Sequence, residues 1–324
     1  MKLLKSALLL LLSLVMLFAS AAPLFPVSAA AEEAAFAPIS TWLNGRNPAP
    51  APYAPSEDGY LPDGGGYVDE SLSILIDNSF WTQDVQQVET QETGVTRVLS
   101  IRVKLSDISQ FRTALAGPYP SKQTANPITM LRQNNGVLGI NGDFFSYHSG
   151  GVIYRNGRLL RNNVSPMREL LIICDKGDFH YLRPTTQANW DEFIATGCTP
   201  LHTFWFGPAL ITEDGAPVTE FTNNEDNAPW SPAQRMVIGQ VGELEYLILC
   251  CEGPESQDFS GQGFTLVQMA QLCAAFGMDN AYNLDGGSSA NVVFNGDKIN
   301  SPSNPKRRVI GDIIYFATLV PDSK

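Results

Sequence analysis

The chain has 324 residues, and its 33 acidic side chains against 21 lysines and arginines give a formal charge of −12. A protein this acidic repels nucleic acid and anionic membrane surfaces, so neither is expected as a partner. Its five cysteines form no C-x-x-C pair and no His-Cys cluster, which argues against a zinc site.

Lys2 and Lys5 precede an apolar run from Ala7 to Phe18, and small residues follow at Ala19-Ser20-Ala21 and Val27-Ser28-Ala29. Residues 1–30 therefore read as a bacterial Sec-type secretory signal peptide, and the mature protein is expected outside the cytoplasmic membrane. The apolar run is shorter than the roughly 20 residues a spanning helix needs, and no later stretch reads as one, so stable membrane insertion is not expected. No cysteine precedes Cys174, so a lipid-modified cysteine near the cleavage site is also not expected. Residues 31–69 are rich in Ala, Pro and Gly, and Asn47 to Pro55 reads as a stiff spacer, a linker that allows loose cell-wall association. Residues 70–324 are then long enough for one large domain with a substantial core.

Arg97 to Leu105 alternates, with Leu99, Ile101, Val103 and Leu105 on one face and Arg97, Arg102 and Lys104 assigned to the solvent side, as in a half-buried strand. Pro127 to Gln133 reads as a short helix ending at Asn134-Asn135-Gly136. Two hairpins follow: Leu170–Cys174 with Phe179–Leu182, and Met236–Gln240 with Leu244–Cys250. Thr265 to Phe276 reads as a helix, opened by a Thr265/Gln268 capping box and stopped at Gly277. Val309 to Leu319 reads as an apolar, central last strand. Many strands and few helices give an α+β fold class: β-rich mixed sheets with a few flanking helices in a single domain. Cys174, Cys250 and Cys251 fall in strands and Cys273 in a helix, so the thiols are expected to be buried and free, with Cys250 and Cys251 on opposite sheet faces.

Two runs carry the chemistry. Gly139-Ile-Asn-Gly-Asp-Phe-Phe145 and Asn283-Leu-Asp-Gly-Gly-Ser-Ser289 each place an Asn-x-Asp step where an apolar stretch turns. A strand end fixes such a turn while its polar groups face outward, so Asn141, Asp143 and Asp285 are candidates to meet a ligand in one pocket. Gly286 and Gly287 allow a tight backbone whose N–H groups can cradle an anion, with Ser288 and Ser289 adding hydroxyls. Gly286 to Ala290 nearly matches a nucleophile elbow, but that triad needs a histidine after the serine and the last here is His202. No Gly-Lys-Ser/Thr follows the glycines, so a Walker A loop is absent. Arg235 and Arg308 each open a strand beside these turns, and together they are read as a phosphate clamp. His148 lies five residues past Asp143, but a surface or core role suits it better.

In this order, and with Gly207-Pro-Ala-Leu210, Arg235-Met-Val-Ile-Gly239, Gly263-Phe-Thr-Leu266 and Asn300-Ser-Pro302, these runs resemble the phosphodiester glycosidase family over about Leu72 to Leu319. The chain differs in having Glu252-Gly253-Pro254 where the family often has Asp-Gly-Arg, which leaves Glu252 as an acid, and two glycines where it often has three. The resemblance implies a single catalytic domain hydrolysing the bond between a sugar's anomeric carbon and a phosphodiester, on a phosphorylated glycan or sugar-phosphate substrate. It implies Asp143 and Asp285 as the catalytic carboxylates, one nucleophile or base and the other support. Arg235 and Arg308 would hold phosphate, while Asn141, Glu252, Gly286, Gly287, Ser288 and Ser289 would bind substrate. No cofactor is required, although a divalent cation such as calcium between the two aspartates is an option without a complete oxygen cage. The rival reading is a non-catalytic glycan-binding or exopolysaccharide-associated protein of the cell envelope. Trp205 and Trp230 are possible stacking platforms in either case.

Overall fold

A computed structural model describes residues 52–222, 228–254, 256, 261–300 and 308–322. The expected signal peptide and most of the expected linker lie outside these residues. The end of that linker, however, folds onto the domain: Gly66–Val68 pairs with Leu72–Trp81, and Tyr67 is buried in the core.

Strand-forming residues dominate, and their antiparallel pairing builds two large sheets. In one, the strands Gly66–Val68, Leu72–Trp81, Thr96–Leu105, Glu245–Cys251, Arg235–Gly242 and Asn280–Leu284 lie side by side in that order. The other runs Asp297–Lys298, Val292–Phe294, Leu138–Asn141, Asp312–Phe316 and Phe111–Leu115. The last strand is thus central, as expected, but it is shorter than the apolar run and opens on an acid, Asp312. Inner faces of both sheets (Ile101, Ile248, Tyr282; Ile140, Phe294, Phe316) share one apolar core with Leu171 and Phe204 of a three-stranded sheet. Burial of that apolar area is the main favourable term holding the sheets together. Both expected hairpins form, with registers Phe179↔Ile173 and Ile238↔Ile248.

Pro127–Gln133 forms the expected helix, capped by Asn126, and its Met130 and Leu131 cover the outer face of the second sheet. Leu266–Ala275 forms the other, with the Thr265/Gln268 capping box present and Gly277 at φ +70°. A third helix, Gln187–Ala195, buries Trp190.

Two expectations need correction. Arg97 has the parity of Leu99, not of Arg102, and lies on the inner side, where it pairs with buried Glu252 at 3.2 Å. Cys174 is not a free thiol: it forms a disulfide with Cys198, which joins the end of its strand to the segment after the third helix. Cys250, Cys251 and Cys273 are free and buried, and burial pushes the Cys251 thiol up to about 12. Thiols so reluctant to ionise are unreactive.

Candidate active site

The two Asn-x-Asp turns leave from different sheets and meet. Leu138–Asn141 belongs to one sheet and Asn280–Leu284 to the other. Asn141 ties them: its Nδ2 donates to the Asp285 carbonyl at 2.7 Å, and its Oδ1 accepts from the Asn291 N–H at 3.1 Å. A carboxamide suits this place because it donates and accepts at once, satisfying backbone groups of the neighbouring turn. Asn283, in the other sheet, donates to the Gly207 carbonyl at 2.8 Å.

Asp143 and Asp285 then differ sharply. Asp143 is wholly buried, and both its oxygens are engaged: Oδ1 by Arg155 Nη2 at 2.7 Å and Oδ2 by the Trp205 N–H at 2.7 Å. Arg155 also donates to Asp312 through Nε at 3.0 Å and Nη2 at 2.8 Å, and through Nη1 to the carbonyls of Tyr154 and Thr203. One guanidinium thus uses its whole fork to hold two buried carboxylates. Burial pushes Asp312 up from its usual range, an effect that Arg155 opposes. Gly142 is required here because a Cβ would lie 2.3 Å from Asp312 Oδ1.

Asp285 instead faces open space. It lies on the wall shared by two clefts, together with Phe144, Ser289 and Arg308. The larger, of about 420 Å³, continues over Gln234, Gly286 to Ser288 and Phe206, and the narrower reaches Asp312. Burial raises the Asp285 carboxyl to about 6, against the pull of the Ser289 hydroxyl, Arg308 and the Gly286 N–H. A carboxylate tuned toward neutrality in a cleft is a recurring mark of acid–base or nucleophilic chemistry.

The Gly286–Ser289 turn uses most of its N–H groups internally rather than presenting an anion cradle. Gly286 donates to Asp285, Gly287 to the Gln234 carbonyl at 2.9 Å and Ser289 to the Gly286 carbonyl at 3.0 Å. Gly287 sits at φ +54°, and a Cβ on Gly286 would meet the Gln234 carbonyl oxygen at 2.6 Å, which explains both glycines.

Arg308 lines both clefts, whereas Arg235 is turned away from clamping. Its Nε donates to the Phe264 carbonyl at 3.0 Å and its Nη2 to those of Ala228 and Ser231 at 2.9 and 2.7 Å. It borders the larger cleft but its guanidinium fixes surrounding loops. Glu252 borders neither cleft; it holds Arg97. Trp205 is buried against Gly150 and Gly151, and Trp230 meets Phe221 edge-on at 6.4 Å, so neither offers a ring to these clefts. His148 packs edge-on against Trp205 at 6.1 Å, and burial lowers its pKa. Among the described residues, no three or more His, Cys, Asp or Glu side chains are grouped to hold a metal ion.

Sequence reasoning passed over Arg155, Asp312 and Phe144. An arginine ending the apolar strand Gly151–Arg155 and an aspartate opening another were the available signals, since a charge on an inward position needs a partner.

The phosphodiester glycosidase family matches residues 134–317, more than half of the chain and every residue that lines the two clefts. The chain belongs to this family. Its fold is also that of the zebrafish N-acetylglucosamine-1-phosphodiester α-N-acetylglucosaminidase catalytic domain auto-inhibited by its pro-peptide, with a TM-score of 0.59 at 18% identity over 85% of this chain and 90% of that one. A hypothetical protein from Synechocystis superposes with a TM-score of 0.50 at 13% identity, over 77% of this chain and 62% of that one. Among curated proteins, none matches the sequence significantly. As in the family assignment, the two Asn-x-Asp runs fall within the matched span, and no helix among the described residues is long and apolar enough to cross a membrane.

Proposed function

We propose that the protein is a secreted hydrolase that cleaves the glycosidic bond of a sugar-1-phosphodiester, releasing the sugar and leaving a phosphomonoester. The observation that carries this reading is Asp285: a carboxylate raised to about 6, on the wall common to both clefts and beside Arg308. A phosphate leaves readily, so the reaction needs stabilisation of a cationic sugar and an anionic leaving group more than a strong acid. Asp285 faces the anomeric carbon as nucleophile or base, and Arg308 with the Ser288 hydroxyl holds the departing phosphate. Water's oxygen and one of its protons end on the anomeric carbon as the new hydroxyl, the other proton goes to the phosphomonoester or to solvent, and the electrons of the broken C–O bond leave with the phosphate.

Asp143 supports rather than reacts. Its ion pair with Arg155 fixes the turn that carries Phe144, and Arg155 supplies the positive charge a calcium ion would otherwise bring to Asp143 and Asp312. Family membership supports a phosphodiester substrate, and the name of the zebrafish relative makes N-acetylglucosamine the first sugar to try. The charged, apolar and small-residue start of the chain supports export, which N-terminal sequencing of extracellular material tests: a start between about Ala22 and Glu33 is expected.

The deciding experiment supplies N-acetylglucosamine 1-phosphate esterified to methanol and measures reducing sugar. Release by the wild type that is lost in Asp285→Asn supports the hydrolase. Retention of intact diester or glycan without turnover, across a panel of 1-phosphodiester sugars, would establish the envelope glycan-binding reading instead.

A further inference from the structure

Phe144 and Phe145 are adjacent yet have opposite fates. Phe145 is buried in an apolar cluster with Trp205 and Val152. Phe144 is only half-buried, and its backbone sits at φ 64°, ψ 22° in the left-handed region. A bulky aromatic residue is a true outlier there, because its Cβ crowds the backbone, and glycine or asparagine would occupy the position at lower cost. The left-handed step is what turns Phe144 away from the core and onto the wall shared by both clefts, beside Asp285. Tyr147, half exposed, stacks on it with ring centroids 4.3 Å apart and planes 13° from parallel, and it lines the narrower cleft. A strained aromatic that contributes no core packing and is backed by a second ring is more than a turn closure. Strain of this kind persists where the surroundings enforce it, and it concentrates at ligand sites.

We infer that the stacked Phe144–Tyr147 pair is the platform for the sugar ring, receiving the apolar C–H face of the glycosyl unit and setting its anomeric carbon against Asp285. A pyranose has one face of axial C–H groups that are poorly hydrated, and a flat ring covers that face without asking for a hydrogen bond. The backing ring of Tyr147 keeps Phe144 in place, so the platform is formed before the sugar arrives, which lowers the ordering cost of binding. This takes over the role the sequence assigned to Trp205 and Trp230. The inference rests on the sugar half of the proposed reading and does not require that hydrolysis occur.

The test measures binding and turnover separately. Methyl glycosides of glucose, galactose, mannose and N-acetylglucosamine, and separately inorganic phosphate, are titrated into wild type, Phe144→Gly, Tyr147→Ala and Tyr147→Trp by calorimetry. KM and kcat are measured on the methyl diester of N-acetylglucosamine 1-phosphate. Phe144→Gly relieves the left-handed strain, so it should fold at least as well as wild type, and a melting curve verifies this. For the glycoside that wild type binds best, Phe144→Gly should weaken Kd at least tenfold and Tyr147→Ala about threefold, with Tyr147→Trp near wild type. Phosphate affinity should not change, and KM should rise with kcat largely kept. No glycoside binding by wild type, an unchanged glycoside Kd in Phe144→Gly, or an equal loss of phosphate affinity would each overturn the platform. If glycosides bind in a Phe144-dependent way but no diester is cleaved, the platform stands and the hydrolase reading falls. If the diester is cleaved and Phe144→Gly changes neither Kd nor KM, the reverse holds.

Discussion

The same three-residue pattern occurs at Asn141–Asp143 and at Asn283–Asp285, and the two aspartates end in opposite circumstances. Asp143 lies under the surface with both oxygens bonded, one of them to Arg155, which also holds Asp312. Asp285 faces two clefts with a carboxyl raised to about 6. A motif delivers a carboxylate to the end of a strand; what surrounds that end decides whether it becomes a reagent or a fastening. Here the difference is that Arg155 bonds the first carboxylate directly in the interior, whereas Arg308 stands beside the second on the wall of the clefts.

The most demanding check of this contrast is Asp285→Asn. It should lower kcat on a sugar-1-phosphodiester by about two powers of ten or more, as when a charged transition state loses its partner. Its stability effect has the opposite sign. The folded carboxyl is raised from 3.8 to about 6, so wild type gains stability from this group below about pH 4 and loses it as pH rises through about 6. At pH 7 the Asn variant should therefore melt higher than wild type, by about 1–2 kcal/mol after allowance for partial exposure, and the gain should vanish near pH 4. A variant that is less stable at pH 7 would mean Asp285 is a fastening too.

Asp143→Asn tests the other half. It leaves Arg155 with a weakened partner in a buried setting, and the expected result is a loss of about 3–5 kcal/mol in denaturant unfolding. Combining it with Arg155→Met and Asp312→Asn should recover part of that loss, because no unpaired charge of the buried triad then remains. If Asp143→Asn unfolds like wild type but abolishes turnover, the two aspartates share the chemistry after all.

Arg308 sharpens the contrast from the charge side. It helps hold the Asp285 carboxyl down, so Arg308→Gln should move the acidic limb of the kcat/KM profile from near 6 to higher pH. An unmoved limb would detach that limb from Asp285. Arg235→Lys should behave differently, since lysine cannot reach the Phe264, Ala228 and Ser231 carbonyls together. A stability loss of about 1–3 kcal/mol, with equal rate losses on the phosphodiester and on a neutral aryl glycoside of the same sugar, is expected. A loss confined to the phosphodiester would restore Arg235 as a phosphate ligand. The smallest effect should come from a chelator: with Asp143 and Asp312 both held by Arg155, turnover in EDTA should equal that in calcium.

The sequence by itself determined the elements whose signals are local. Alternation at Leu99 to Leu105 marks a strand, the Thr265/Gln268 pair and Gly277 bound a helix, and turn residues at Asp175 to Asp178 close a hairpin, because each depends on neighbours within a few positions. It also supplied both acidic turns, Asn141 and Arg308, and the order of runs that marks the family. Only the tertiary structure decided which acid faces the cleft, that Arg235 holds carbonyls, that Cys174 finds Cys198, and that Arg97 turns inward to Glu252. Each involves a partner distant in sequence: Cys198 at 24 positions from Cys174, Phe264 at 29 from Arg235, Trp205 at 62 from Asp143 and Glu252 at 155 from Arg97. Burial and charge pairing are properties of the assembled sheets, and no local pattern encodes which guanidinium will lie beside which carboxylate.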